Sequence, residues 1–213
     1  ITDECFTYLT NFIKIGMTEK QISLEIEKYF LEHGADGLAF ETIVASGVNS
    51  SKPHAIPSDK IIRYGDPITI DFGAKYNGYC SDMTRTIFAG TISEELKNLY
   101  NFILKNQLKA TKEMKDGAIA KNISRMVENE FYLNNYSLIH ALGHGVGLNI
   151  HELPYISHNS QTMLKENMIV TNEPGIYMPG NYGIRIEDTI RIGKLESEVL
   201  TKSSKEIIIV DPK

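Results

Sequence analysis

The sequence is poor in cysteine and has no long apolar run. Its two cysteines, Cys5 and Cys80, are too few and too far apart for a disulfide scaffold or a thiolate zinc site. A reducing compartment, here the cytoplasm, is therefore expected. No apolar stretch approaches the roughly eighteen residues that a membrane span needs. The protein is accordingly not expected to bind a membrane.

An excess of positive charge is also missing. The chain has 22 Lys and Arg against 27 Asp and Glu, a net charge of −5. This balance argues against a surface that binds nucleic acid or anionic lipid, and it favours a small partner. Hydrophobic residues make up 42% and charged residues 23%, as in an ordinary globular protein. No linker or low-complexity tract divides the chain, so residues 1–213 are treated as one domain.

The predicted elements follow the order helices, strands, helices, strands. Two helices are expected in residues 1–34, with Thr18 and Gln21 forming a capping box at the start of the second. Strands are expected over 38–88, helices over 94–132 and strands from 139 onward. A shift of 101 residues aligns the apolar pattern of the second helix with residues 123–131. If this echo reflects a duplication, an α+β domain with two similar halves follows.

The segment PITIDFGAKYNGYCSDMTRTIF predicts a hairpin. Asn77 and Gly78 supply a two-residue turn. In that register Asp71 faces Thr84 and lies diagonal to Asp82. Diagonal neighbours are roughly 7–8 Å apart at the backbone, so the two carboxylates could converge on one or two metal ions. Taken alone, Asp residues near a turn are more often solvated.

A second hairpin is predicted in TNEPGIYMPGNYGIRIEDTI. Glu173 enters it and Glu187 leaves it, and the turn is centred on Gly180. A loop of three or five residues would place the two glutamates opposite each other. On the outgoing strand the isoleucines can face the core while Arg185 and Glu187 face the other way. A carboxylate between two isoleucines needs a partner.

Four of the six histidines lie in two glycine-rich stretches. His54 is in SGVNSSKPHA, and His140, His144 and His151 are in IHALGHGVGLNIHELP. The glycines beside His144 are expected to let the backbone approach a ligand closely. A single histidine in such a place is more often a hydrogen-bonded core residue. The grouping is what favours a functional site.

Four carboxylates and one imidazole form a hard, oxygen-rich set of ligands. Such a set suits a pair of divalent ions, and it suits manganese, cobalt or iron(II) better than structural zinc. A GxSxG motif is absent, which disfavours a serine hydrolase. A P-loop is absent too, and GHGVG falls short of GxGxxG, so a nucleotide cofactor is not expected.

The ordered set resembles the metallopeptidases of the pita-bread fold, which include methionine aminopeptidases, aminopeptidase P and prolidase. Its members are Asp71, Asp82, His144, Glu173 and Glu187. The resemblance spans essentially the whole chain. It implies an α+β fold with two pseudo-symmetric halves of helices packed on a curved antiparallel sheet. The long motif EPGIYMPGNYGIRIED and His140 resemble the Xaa-Pro branch, so His140 and Arg185 distinguish it from methionine aminopeptidases.

The resemblance also implies a role for each residue of the set. Asp71 would bind one ion, Asp82 and Glu187 would bridge both, and His144 and Glu173 would complete the other. The cofactor would be two divalent metal ions, manganese by preference, with cobalt, iron or zinc as alternatives. A water held between them would be the nucleophile, and Glu173 would also carry the proton to the leaving proline nitrogen.

Five further side chains are implied to contact substrate or to support those that do. His54, His140 and His151 would position the substrate and stabilise the oxyanion, and are therefore counted as catalytic. Arg185 and Tyr177 would face the substrate or lie directly behind the ligands.

Three functions remain open at this point. The first is a two-metal Xaa-Pro peptidase that acts on proline-containing dipeptides or on the N-terminus of longer peptides. The second is another enzyme of the fold, either a methionine aminopeptidase or a metal-free creatinase-like hydrolase. The third is a non-catalytic binding protein on the same scaffold. Creatinase-like and binding members tend to lose ligands, whereas this sequence retains all five.

The beginning of the sequence leads to one more expectation. It starts at Ile1, inside an apolar-periodic helix and without Met. Because Xaa-Pro enzymes usually carry a preceding domain, the 213 residues are expected to be the catalytic domain of a longer protein. The longer protein is a candidate homodimer.

Overall fold

A computed structural model describes residues 1–211 of the chain. Its α-helices are α1 (Thr2–Phe12), α2 (Glu19–Glu32), α3 (Glu94–Glu113) and α4 (Ala120–Leu133), and a 3-10 helix covers Gly47–Ser51. The strands before α3 are β1 (Gly37–Leu38), β2 (Ile43–Ser46), β3 (Pro67–Phe72), β4 (Ala74–Tyr76), β5 (Tyr79–Cys80) and β6 (Met83–Ala89). Those after α4 are β7 (Gly143–Gly145), β8 (Glu152–Ile156), β9 (Ile169–Asn172), β10 (Gly175–Met178), β11 (Tyr182–Arg185), β12 (Asp188–Arg191), β13 (Glu198–Val199) and β14 (Ile209–Val210).

The capping box predicted for α2 is present. The Thr18 hydroxyl accepts a 3.1 Å hydrogen bond from the Gln21 amide, and the Gln21 side chain accepts a 2.8 Å bond from the Thr18 amide. Two of the four unpaired N–H groups at this helix start are thereby satisfied. Ile22, Ile26 and Phe30 recur along one face of α2 and are fully buried, so the helix is fixed on the sheet by its apolar side.

The fold has two halves, each with a pair of helices and its own sheet. In the first half α2 packs on β2, in a sheet ordered β14-β6-β3-β2. In the second half α4 packs on β8, in a sheet ordered β13-β12-β9-β7-β8. The apolar core divides in the same way into two clusters of buried residues. Both α2 and α4 have 14 residues. Their starts are 101 residues apart, which is the same shift that aligns their apolar patterns in the sequence.

The first hairpin has the predicted register. Asp71 pairs with Thr84 in the antiparallel β3–β6 ladder. Asn77 and Gly78 form the turn with φ values of 49° and 81°, the left-handed backbone that such a turn requires. A Cβ atom on Gly73 would lie 1.9 Å from the Ser81 carbonyl oxygen. Only glycine therefore allows the strands to approach there, directly beside the expected ligands.

The second hairpin also has the predicted register. Gly175 pairs with Arg185 in the β10–β11 ladder, and Asn172 pairs with Asp188 in the β9–β12 ladder. Glu173 and Glu187 lie between these two ladders, so their positions are opposite each other at a break in the sheet. The fold is thus the predicted α+β type with antiparallel sheets, apart from the parallel pairing of β14 with β6. Among residues 1–211 no helix is long and apolar enough to cross a membrane.

Candidate metal centre

One cavity of about 410 Å³ brings the expected site residues together. Its walls include all five residues of the candidate ligand set, Asp71, Asp82, His144, Glu173 and Glu187. They also include His54, His140, His151 and Arg185. Asp71 and Asp82 come from the first half and the other three ligands from the second, so the cavity needs both halves of the fold.

The tightest group in the cavity consists of Asp82, His144 and Glu187. One potential ligand atom from each lies within 4.8 Å of the other two. Nε2 of His144 is 3.5 Å from Oδ2 of Asp82 and 3.5 Å from Oε1 of Glu173. Nδ1 of His144 is 3.0 Å from the Gly145 carbonyl oxygen, so Nδ1 carries the proton and Nε2 carries a lone pair.

That arrangement is what a cation would require. Burial lowers the pKa of His144 and favours the neutral imidazole. Its lone pair then faces two carboxylate oxygens, a repulsive contact unless positive charge lies between them. The carboxylates point to the same conclusion. Burial, followed by the charge of neighbouring carboxylates, raises the pKa of Asp82 and Glu187 well above their usual values.

Two more carboxylates of the cavity are incompletely hydrogen-bonded. Burial raises the pKa of Glu173 to about 8. Oδ1 of Asp71 is buried and has no hydrogen-bond partner within residues 1–211. Buried carboxylate oxygens with one neutral imidazole form a donor set suited to hard or borderline divalent cations. The residues present therefore fit a metal centre.

Arg185 ties the ligands of the two hairpins together. Its side chain is buried, and its Nε atom donates a 3.0 Å hydrogen bond to the Thr84 hydroxyl. One terminal nitrogen donates to the Tyr177 hydroxyl at 2.7 Å and to the Pro53 carbonyl at 3.2 Å. The other donates to Oδ2 of Asp71 at 2.7 Å. Every guanidinium nitrogen is thus engaged with protein, and Arg185 positions ligands from behind.

His140 and Tyr177 form one hydrogen-bonded unit. Nδ1 of His140 is 2.8 Å from the Ala141 carbonyl oxygen and must donate to it. Nε2 then accepts from the Tyr177 hydroxyl at 3.0 Å. Burial lowers the pKa of His140 to about 4, so the ring is neutral at pH 7. Tyr177 is not among the residues that line the cavity; it reaches the site through His140 and Arg185.

The other two histidines lie at the mouth of the cavity. His54 and His151 are exposed, and the ring of His151 is 4.4 Å from that of His144, centre to centre. Both have room to contact a bound molecule, unlike His140, whose ring nitrogens already have partners.

The glycines beside His144 are needed for the packing of neighbouring strands. A Cβ on Gly143 would lie 2.0 Å from the Thr171 carbonyl oxygen, and one on Gly145 would lie 2.5 Å from the Leu153 carbonyl oxygen. These glycines let β7 fit between β8 and β9. They bring His144 to the cavity through strand packing, and a close approach of the backbone to a ligand stays a prediction.

Two supporting threonines were not predicted as site residues. The Thr84 hydroxyl donates a 2.6 Å hydrogen bond to Oε2 of Glu187. The Thr171 hydroxyl accepts a 3.0 Å bond from the His144 amide. Thr84 could have been found, since the hairpin register already places it opposite Asp71. Thr171 could not, because its contact depends on the pairing of β7 with β9.

A buried ion cluster lies directly behind Glu187. The Asp188 carboxylate is fully buried and accepts 2.7 Å hydrogen bonds from Arg85 and Gln107. Thr201 and Lys205 also donate to it. Burial would raise the pKa of Asp188, but the charges of Arg85 and Lys205 outweigh it and lower that pKa. The Arg85 guanidinium also donates to the Glu187 carbonyl oxygen, so the cluster fixes the main chain at Glu187.

The chain belongs to metallopeptidase family M24, whose profile matches residues 1–194. It is 42% identical to the Xaa-Pro dipeptidase of Pyrococcus furiosus over 211 residues, which are 98% of this chain and 60% of that protein. It is also similar to two solved structures. The X-Pro aminopeptidase of Thermotoga maritima has a TM-score of 0.94 at 40% identity, covering 97% of this chain and 59% of that one.

The second solved structure is the Xaa-Pro dipeptidase from Bacillus anthracis. It has a TM-score of 0.95 at 43% identity, and the match covers 98% of this chain and 59% of that one. The chain therefore spans about 60% of the length of the relatives it matches.

Proposed function

We propose that the protein is a metallo-exopeptidase that hydrolyses the bond before proline. Its substrates would be Xaa-Pro dipeptides or longer peptides with proline in second place. The observation that carries this proposal is the meeting of the five candidate ligands in one cavity with His140 and Arg185. The names of the relatives support it, and they include both dipeptidases and an aminopeptidase at similar identity.

Two divalent ions, manganese by preference, would be held by Asp71, Asp82, His144, Glu173 and Glu187. Bound there, they would supply positive charge that polarises the scissile carbonyl group and lowers the pKa of a water molecule. Carboxylates from both halves of the chain would share this charge.

Of the three candidate carboxylate ligands that have a side-chain hydrogen bond, Glu173 is the least tightly held, and we assign the proton transfer to it. Asp71 is held by Arg185, and Glu187 is held by Thr84. The hydrogen-bond contact of Glu173 is weaker, at 3.5 Å from the Thr171 hydroxyl, which leaves the Glu173 carboxyl free to accept a proton and pass it to the leaving nitrogen.

The three histidines of the cavity wall other than His144 would have two different roles. The exposed rings of His54 and His151 would contact the peptide at the mouth and donate to the oxygen of the scissile carbonyl. The neutral ring of His140, fixed by Tyr177 and Ala141, would shape the wall against which the peptide lies. Peptide trimming in the cytoplasm is the proposed setting, supported by the free thiols of Cys5 and Cys80.

A side-by-side assay tests the proposal. Purified protein with added manganese is given an Xaa-Pro dipeptide, a longer Xaa-Pro peptide and a Met-Ala peptide. We expect cleavage of at least one proline-containing peptide and none of Met-Ala. Asp82→Asn, which removes the charge of a ligand but keeps its shape, should abolish cleavage. Removal of Met from Met-Ala without Xaa-Pro cleavage would show that the protein is a methionine aminopeptidase instead.

A further inference from the structure

Glu19 is a buried carboxylate outside the metal centre. It is the first residue of α2 and is 0% exposed. Its oxygens accept hydrogen bonds from the amide and hydroxyl of Ser46 at 2.7 and 2.9 Å, and from the amide and hydroxyl of Ser58 at 3.1 and 2.6 Å. The Asn49 side chain donates to both oxygens. A buried charge is tolerated when donors surround it in this way.

The donors to Glu19 flank one segment of chain. Ser46 and Ser58 lie at the two ends of residues 47–57, which contain the 3-10 helix and His54. Residues 53–57 all line the cavity of the metal centre. A single carboxylate therefore joins both ends of the loop that carries His54 and forms part of the cavity wall. We call residues 47–57 the His54 loop.

The opposite side of the His54 loop is fixed by the hairpin that carries Arg185. The Gly183 amide donates a 2.9 Å hydrogen bond to the Ser50 hydroxyl, and Arg185 donates to the Pro53 carbonyl oxygen at 3.2 Å. The loop is thus held between the hairpin on the metal side and Glu19 on the helix side. The side chain of His54 is exposed, so its place at the mouth is set by the main chain of the loop.

We propose that Glu19 is a positioning residue for substrate, because its carboxylate fixes the His54 loop and so places His54 against the bound peptide. The inference rests on the proposed function. Glu19 makes no hydrogen bond to a candidate metal ligand, so we expect its loss to affect the placement of substrate more than the binding of metal. A carboxylate that only stabilised the fold would not have this selectivity.

Glu19→Gln is the first test. It keeps the shape of the side chain but removes its charge, and it replaces one accepting oxygen by an NH2 group that would face other donors. Glu27→Gln is the matched control, because Glu27 is an exposed residue of the same helix. In Glu19→Gln we expect the backbone amides of the His54 loop to exchange hydrogen about tenfold faster, or more. We expect kcat/KM on an Xaa-Pro peptide to fall by about tenfold to a hundredfold, the scale set by a small misplacement of an active-site group.

The affinity for Mn²⁺, measured by calorimetric titration, should stay the same in Glu19→Gln. Glu27→Gln should match the wild type in all three measurements. Ser58→Ala provides a milder variant that removes one hydroxyl donor, and it should shift exchange and kcat/KM in the same direction. If Glu19→Gln does not fold, Ser58→Ala serves as the test of the proposal in its place.

A double-mutant cycle separates positioning from general stability. If Glu19 acts through His54, Glu19→Gln should have little further effect on kcat/KM once His54→Ala is present. Additive losses, unchanged exchange in the His54 loop of both Glu19→Gln and Ser58→Ala, or a parallel loss of Mn²⁺ affinity would overturn the proposal. A wild-type protein that cleaves no Xaa-Pro peptide would refute the proposed function instead, and hydrogen exchange would still report whether Glu19 holds the loop.

Discussion

The Thr84 hydroxyl donates a 2.6 Å hydrogen bond to Oε2 of Glu187 and accepts one of 3.0 Å from Nε of Arg185. Thr84 comes from the first hairpin, and the two residues that it joins come from the second. The hydroxyl donates its single proton to Glu187 while its oxygen accepts from Arg185. It therefore fixes the orientation of the Glu187 carboxylate relative to Arg185. A neutral side chain thus links the two halves of the candidate metal centre.

Replacing Thr84 by Val should weaken both metal binding and the fold. Valine has the same shape but leaves the buried Glu187 and Arg185 each without one partner. We expect the free energy of unfolding to fall by about 1–3 kcal/mol and the Mn²⁺ affinity to fall by about tenfold to a hundredfold. Urea denaturation and calorimetric titration measure these changes. Thr84→Ser retains the hydroxyl and should stay close to the wild type; equal Mn²⁺ affinity in Thr84→Val would contradict the role given to this hydroxyl.

Arg85→Met should destabilise the protein far more than loss of a surface ion pair. Arg85 and Asp188 are both almost fully buried, with 2.7 Å between nitrogen and oxygen. Removing one partner of a buried pair costs up to about 3–5 kcal/mol, and Asp188 would be left with Lys205 as its cationic partner. The control is Glu198→Gln, which breaks the exposed pair with Arg191 on the neighbouring strand and should cost less than about 1 kcal/mol. Similar losses in the two variants, measured by urea denaturation, would show that the buried pair contributes no more stability than an exposed pair.

Removal of metal by a chelator should lower the thermal stability, and Mn²⁺ should restore it. Asp82, His144 and Glu187 place buried donor atoms within 4.8 Å of one another, and a cation would relieve their repulsion. Free Mn²⁺ at about a hundred times its Kd should stabilise the folded state by about 2.7 kcal/mol. Scanning calorimetry measures the shift in Tm, and elemental analysis should find two ions per chain. If Tm does not respond to Mn²⁺, Co²⁺ or Zn²⁺, the cavity is not a metal centre.

Much of the site could be predicted because two short turns set the register of the strands. With Asn77-Gly78 at one turn and Gly180 at the other, alternation along each strand decides which side chains share a face. Asp71 then has to face Thr84, as it does. The same reasoning put Glu173 and Glu187 opposite each other, where the structure has the break between two ladders.

The remaining features depend on contacts between distant parts of the chain. The packing role of Gly143 and Gly145 depends on the strands on either side of β7. In the sequence, Glu19 has the position of an ordinary acidic residue in the first turn of a helix. Its partners Ser46 and Ser58 lie 27 and 39 residues away, and no local pattern connects them. Tertiary pairing of this kind leaves no periodic signal in the sequence.

His140 should make the protein less stable in mild acid. Its pKa is about 4 in the folded protein because the ring is buried, against 6.5 for a free histidine. As the pH falls from 6.5 to 4, the unfolded chain takes up a proton that the folded protein does not. The free energy of unfolding therefore falls through this window, by at most about 3 kcal/mol. Above pH 6.5 the effect is absent, because the ring is neutral in both states.

His140→Asn removes this titration while an amide can still donate to the Ala141 carbonyl oxygen. In urea denaturation of chelator-treated protein, the variant should lose less stability than the wild type between pH 6.5 and 4. His158→Asn is the control, since His158 is exposed, and its curve should run parallel to that of the wild type. If all three proteins lose stability equally, His140 takes up a proton in the folded state. The hydrogen bond that its Nε2 accepts from Tyr177 would then be replaced, because a protonated ring has no acceptor.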